Sequence, residues 1–102
     1  MIQRFEFLLP TKQNDGTAIE SEKFDQTALE LTDRFQGISQ DVILVHGLWK
    51  FAGTVYPDEL VRFRVDTQDR TARKFIKAHK PIWKDRFKQL DLWITVHEIE
   101  VI

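Results

Sequence analysis

The chain contains no cysteine in its 102 residues. Disulfides, thiolate zinc sites, cysteine-ligated iron–sulfur clusters and a cysteine nucleophile are therefore excluded. The lack also suits a reducing compartment, so a cytoplasmic location is expected. Serine is nearly as scarce. Ser21 and Ser39 are the two present, and neither sits in a G-x-S-x-G setting. The four glycines are scattered, so no glycine-rich loop exists to cradle a phosphate. The three histidines, His46, His79 and His97, lack the spacing of a helical metal pair. No metal and no cofactor are expected, and catalysis has weak support. No apolar run approaches the 18 or so residues of a membrane span. The opening MIQRFEFLLP is broken by Arg4 and Glu6 and has no small-residue cleavage site, so no secretory signal is expected.

What is present is an ordinary globular composition, 42% hydrophobic and 30% charged, which argues against disorder. The length predicts one domain over residues 1–102 with a modest core. Eight Phe and three Trp supply large apolar surfaces for it. The net charge of -1 hides an asymmetry. Residues 69–88 carry eight Lys or Arg against two Asp, a net +6, whereas the remainder carries seven against fourteen, a net -7. One basic block thus sits in an acidic chain.

Residues 4–9 alternate, with Phe5, Phe7 and Leu9 on one face and Arg4, Glu6 and Leu8 on the other. That is the period of a half-buried strand ending at Pro10. Phe24, Ala28, Leu31 and Phe35 then recur at helical spacing, with Ser21 as a candidate cap and Gly37 as a natural stop. Residues 42–51, VILVHGLWKF, read as a strand. A turn is expected at residues 52–54, and Pro57-Asp58-Glu59 punctuates again before a strand over residues 60–66. There Val61, Phe63 and Val65 oppose Arg62 and Arg64. These two strands form a hairpin with an irregular connection. The basic block is a second helix whose apolar stripe is Ala72, Phe75, Ile76, His79, Trp83 and Phe87. Thr67 or Asp69 could cap it, and Pro81 predicts a kink or a division into two helices near Lys80. In the final segment Leu92, Ile94 and Val96 are apolar, but Glu98 and Glu100 then occupy the same phase. A bulge near His97, or a tail leaving the sheet, would explain the change.

The order strand, helix, strand, strand, helix, strand predicts a ferredoxin-like α+β sandwich, a four-stranded antiparallel sheet carrying both helices on one face. The opposite, open face then shows Arg4, Glu6, Leu8, Arg62, Arg64, Trp93 and Thr95, joined by His97 where the last strand keeps its phase. Residues 42–51 add either His46 or Trp49, depending on register. The reading this supports is a non-catalytic binding or assembly module that pairs with a second copy, as a homodimer, through its open face or last strand. An alternative is a small-molecule site, enzymatic or not, around His46, Trp49, Arg62 and Arg64, with Trp93 and His97 as further candidates. A third is nucleic-acid binding through Arg73, Lys77, Lys80 and Lys84. The sheet lacks the aromatic RNA-binding signature, the pI is near 6.3, and the acidic first helix would lie beside the basic one, so nucleic acid is the less favoured partner. A small-molecule or protein partner stays open, and no membrane partner is expected.

The helix after Ser21-Glu22, the run GLWK before a turn, and above all IWKDRFKQ at residues 82–89 resemble an uncharacterised bacterial family, domain of unknown function 3574. The resemblance implies a small ferredoxin-like protein. It supplies no catalytic residues. Some members are lipoproteins, but the absence of cysteine here gives no site for a lipid anchor.

Overall fold

The computed structural model describes the backbone of residues 1–51 and 54–102, and the side chains of residues 1–40 and 59–102. Six elements follow one another: β1 (Ile2–Pro10), α1 (Ser21–Phe35), β2 (Ser39–Phe51), β3 (Thr54–Thr67), α2 (Ala72–Arg86) and β4 (Trp93–Ile99). The strands form one antiparallel sheet in the order β2-β3-β1-β4. Chain order and sheet order together are those of the ferredoxin-like sandwich.

Alternation decides which face the helices cover. Phe5, Phe7 and Leu9 of β1 are buried with Phe63 and Val65 of β3. Directly opposite residues share a face. The pairs Phe5↔Val65 and Phe7↔Phe63, with Phe5↔Val96 and Phe7↔Ile94, thus build one continuous apolar floor. Leu31 of α1 and Ala72, Ile76 and Trp83 of α2 close over it. Phe7 meets Trp83 edge to face, with ring centroids 5.6 Å apart. Each fully buried aromatic of this kind contributes about 1.5–3 kcal/mol of transfer free energy.

Several local expectations are corrected. Ser21 does not cap α1. Glu20 holds the cap position without a side-chain hydrogen bond, and Ser21 is the first helical residue. At the other end Gln36, not Gly37, takes the left-handed conformation (φ 62°), and its N–H donates to the Thr32 carbonyl. The turn closes one residue earlier than a glycine stop requires. Pro81 does not divide the second helix, since α2 is assigned as one helix through it. Its ring stands on the exposed side, away from the core. β3 starts at Thr54 and passes through Pro57, which pairs with Leu48. A proline is compatible with a strand whose second edge is unpaired. No bulge is needed near His97 either. The β1–β4 register runs without a break from Leu8↔Trp93 to Ile2↔Ile99.

The hairpin of β2 and β3 is longer than the sheet it belongs to. β1 reaches β3 over Leu60 to Thr67 and no further. Residues 54–58 of β3 pair with residues 47–51 of β2 and, among the described residues, with no other strand. The pairing shifts register between Asp41 and Val45, so the expected irregularity falls inside β2. The result is a two-stranded arm beyond the sandwich, and the molecule measures 42 × 26 × 25 Å.

Candidate functional site

Pairing arranges the open face in three cross-strand rows. Arg62, Leu8 and Trp93 form the first, Arg64, Glu6 and Thr95 the second, and Asp66, Arg4 and His97 the third. In the second and third rows opposite charges stand side by side. In the third, the Arg4 guanidinium donates from Nε and Nη2 to the two Asp66 carboxylate oxygens at 2.8 and 2.9 Å. That hydrogen bond is the main reason the Asp66 carboxyl titrates below its ordinary range. The same contact raises Arg4. His97 is exposed at the end of this row. Trp93, by contrast, leaves 68% of its surface open beside half-buried Leu8. This face is half-buried and charged along two of its rows, with an exposed aromatic at the end where the arm leaves the sheet.

The suggested cluster of His46, Trp49, Arg62 and Arg64 is spread along β3. Arg62 and Arg64 lie opposite Asp41 and Ser39, whereas His46 pairs with Glu59 and Trp49 with Tyr56. At about 3.3 Å per residue, Tyr56 is about 20 Å along the strand from Arg62. The side chains of His46 and Trp49 lie outside the described residues, so which of them faces the open side does too.

His79 is packed. Its ring stacks on Phe75 at 4.0 Å, and Nδ1 lies 3.0 Å from the Phe75 carbonyl. Among the described residues, no group of three His, Asp or Glu could hold a metal ion.

On α2, Arg73, Lys77, Lys80 and Lys84 recur at helical spacing. They line the flank turned away from α1, since Phe75 and Arg86 face α1 through Phe35 and Glu30. Lys80 is held by Asp91 at 3.0 Å. Among the described residues, the expected match between the two helices rests on Arg34 of α1, which reaches Asp69 and Thr71 at the start of α2, and on a cluster around Glu30. Arg86 donates from Nη1 and Nη2 to the two Glu30 oxygens. It also donates to Thr27 Oγ1 at 2.8 Å, while Trp83 Nε1 donates to Glu30 at 3.2 Å. Alternation of charge along the chain gives no sign of this cluster, because its members are more than fifty residues apart.

A cleft of about 520 Å³ opens at the other end of the sheet. Gln3, Thr67, Gln68, Arg70, Arg73 and Glu98 line it together with Met1. Gln3 and Thr67 face each other across β1 and β3, and Gln3 and Glu98 across β1 and β4. The basic block drew attention to Arg73, but nothing in the periodicity brings Glu98 to it.

No family model matches the chain, and no curated protein matches it in sequence. Solved structures do. A phage S-adenosylmethionine lyase in complex with S-methyl-5'-thioadenosine superposes with a TM-score of 0.67 at 14% identity, over 95% of this chain and 81% of that one. The divalent cation tolerance protein CutA1 of Thermus thermophilus gives 0.66 at 15%, over 97% and 84%. The periplasmic divalent cation tolerance protein CutA of Archaeoglobus fulgidus gives 0.63 at 14%, over 99% and 86%. At such identities the likeness shows the shared fold.

Proposed function

We propose that this protein is a non-catalytic assembly module of the cytoplasm that self-associates through the edges of its sheet. The arm carries the reading. A two-stranded ribbon is marginal in water unless a third strand or a packed layer supports it, and, among the described residues, 47–51 and 54–58 pair only with each other. A strand edge with unpaired backbone groups is a template for a further strand. The molecule has a second such edge, since β4 is outermost on the opposite side. An arm from one copy laid along β4 of another satisfies both. It also brings a neighbour close to exposed Trp93 at the start of β4. Repeated around a rotation axis, this contact closes into an oligomer, of which the dimer is the smallest. Membership of domain of unknown function 3574, suggested by residues 82–89, belongs to the same proposal.

Sedimentation equilibrium over a wide concentration range tests it. The chain weighs 12.1 kDa. A mass at two or more multiples of that value, persisting on dilution, is expected. A single-chain mass at every concentration overturns the proposal.

A further inference from the structure

Three strands change character in the same row. On the helix side, β1 reads Leu9, Phe7, Phe5 and then Gln3. β3 reads Val61, Phe63, Val65 and then Thr67, and β4 reads Ile94, Val96 and then Glu98. Register places Thr67, Gln3 and Glu98 side by side. The phase change of the last strand is therefore not local to β4. It is one part of a polar row that crosses three strands and forms the floor of the 520 Å³ cleft.

The wall of that cleft is the start of α2. Arg73 stands on the first turn and Arg70 just before the N-cap Thr71, and both line the cleft. Arg4, Arg34 and Arg86 each hold a carboxylate: Asp66, Asp69 and Glu30 respectively. Among the described residues no carboxylate comes within 4.0 Å of Arg70 or Arg73. Glu98 shares the cleft with them, and among the described residues it makes no ion pair. Two guanidinium groups and one carboxylate thus line a single concavity with two amide side chains and a hydroxyl, and none of the three charges is neutralised at contact distance. A guanidinium offers forked donors that match phosphate and carboxylate oxygens. The cleft volume lies within the range of small-molecule sites.

We propose that this cleft binds a small anion that also carries a hydrogen-bond donor. Arg70 and Arg73 grip its phosphate or carboxylate, and Glu98 accepts from its ammonium or hydroxyl group. The site is independent of self-association, since it is complete within one chain.

Backbone amide shifts of the intact, ¹⁵N-labelled protein, followed during separate titrations with inorganic phosphate and with O-phosphoserine, test the assignment. O-phosphoserine is expected to give saturating shifts at Gln3, Thr67, Gln68 and Glu98. Arg70→Gln combined with Arg73→Gln should raise the apparent Kd about tenfold or more, which corresponds to about 1.4 kcal/mol, with the far-UV circular dichroism unchanged. Glu98→Gln should weaken O-phosphoserine and leave phosphate bound as tightly or more tightly, since a like charge is removed from the cleft. Equal affinity for both probes, unchanged in Glu98→Gln, overturns the role of Glu98. The whole assignment is overturned by shifts that do not saturate, by shifts centred on Lys77 and Lys84, or by shifts that survive loss of both arginines.

Discussion

The guanidinium of Arg86 spans the seam between the two helices and holds both oxygens of the Glu30 carboxylate, the second at 2.8 Å. Its side chain is 10% exposed and that of Glu30 31%. This contact is the first cause of the lowered Glu30 titration. Thr27, fully buried, depends on the same arginine. Arg86→Ala therefore leaves the part-buried Glu30 carboxylate with the Trp83 N–H alone and the buried Thr27 hydroxyl with only its bond to the Lys23 carbonyl. Because Glu30 is partly screened, we expect a loss of about 1–3 kcal/mol in urea unfolding, below the cost of breaking a fully buried pair. A change within the scatter of surface substitutions, about 0.5 kcal/mol, would show that the link is not structural.

Pro81 lies within α2, where it removes one backbone donor from the ladder. Its side chain is exposed, so replacement creates no cavity. Pro81→Ala should stabilise the protein by about 1–2 kcal/mol, less than the full helical penalty of proline because the unfolded chain also gains freedom. Thermal unfolding of the two proteins decides this, and a lower Tm for the variant contradicts it.

Acid should loosen the junction between α1 and α2. Asp69 accepts from Thr71 and from Arg34, and these bonds lower its pKa from 3.8 to about 2. The folded state thus binds this proton less tightly than the unfolded chain. The contribution is fully present above the unfolded value and disappears as pH falls towards about 2. Asp69→Asn should remove it, so the difference in Tm between parent and variant should shrink between about pH 5 and pH 2. A constant difference across that window would place the effect elsewhere.

Trp93 gives the assembly an optical signal. It is 68% exposed in one chain. If a neighbouring copy lies against the start of β4, its emission should shift to the blue on association. Trp93→Phe should reduce that shift, leaving only the part that Trp49 of the arm contributes. Emission that is the same at concentrations where the mass differs would remove Trp93 from the interface.

Phe7 tests the core itself. It is fully buried and central to the sheet, against Trp83. Phe7→Ala should cost about 3–5 kcal/mol, read from the urea midpoint. A cost near 1 kcal/mol would mean that the two layers collapse onto the vacated space.

Much of the sandwich can be read without coordinates. Alternation in residues 4–9 and 60–66, and helical spacing from Phe24 to Phe35 and from Ala72 to Phe87, are local signals of which side is buried. They identify Phe5, Phe7, Phe63, Ile76 and Trp83 as core, and the order of elements then admits the ferredoxin-like topology. His79 reads as packed for the same reason. Spacing cannot say which residue of one strand stands opposite which of another. Register is a property of pairs, fixed by the joint burial of two sequences distant along the chain. It turns Gln3, Thr67 and Glu98 into one row, sets Arg4 against Asp66, and lets β3 outrun β1 to leave an arm. It also explains Glu98, which in isolation looks like a break in a strand. Burial pattern within an element is written in that element's own residues. The open face, the arm and the cleft arise only where several elements meet, and there the tertiary structure decides.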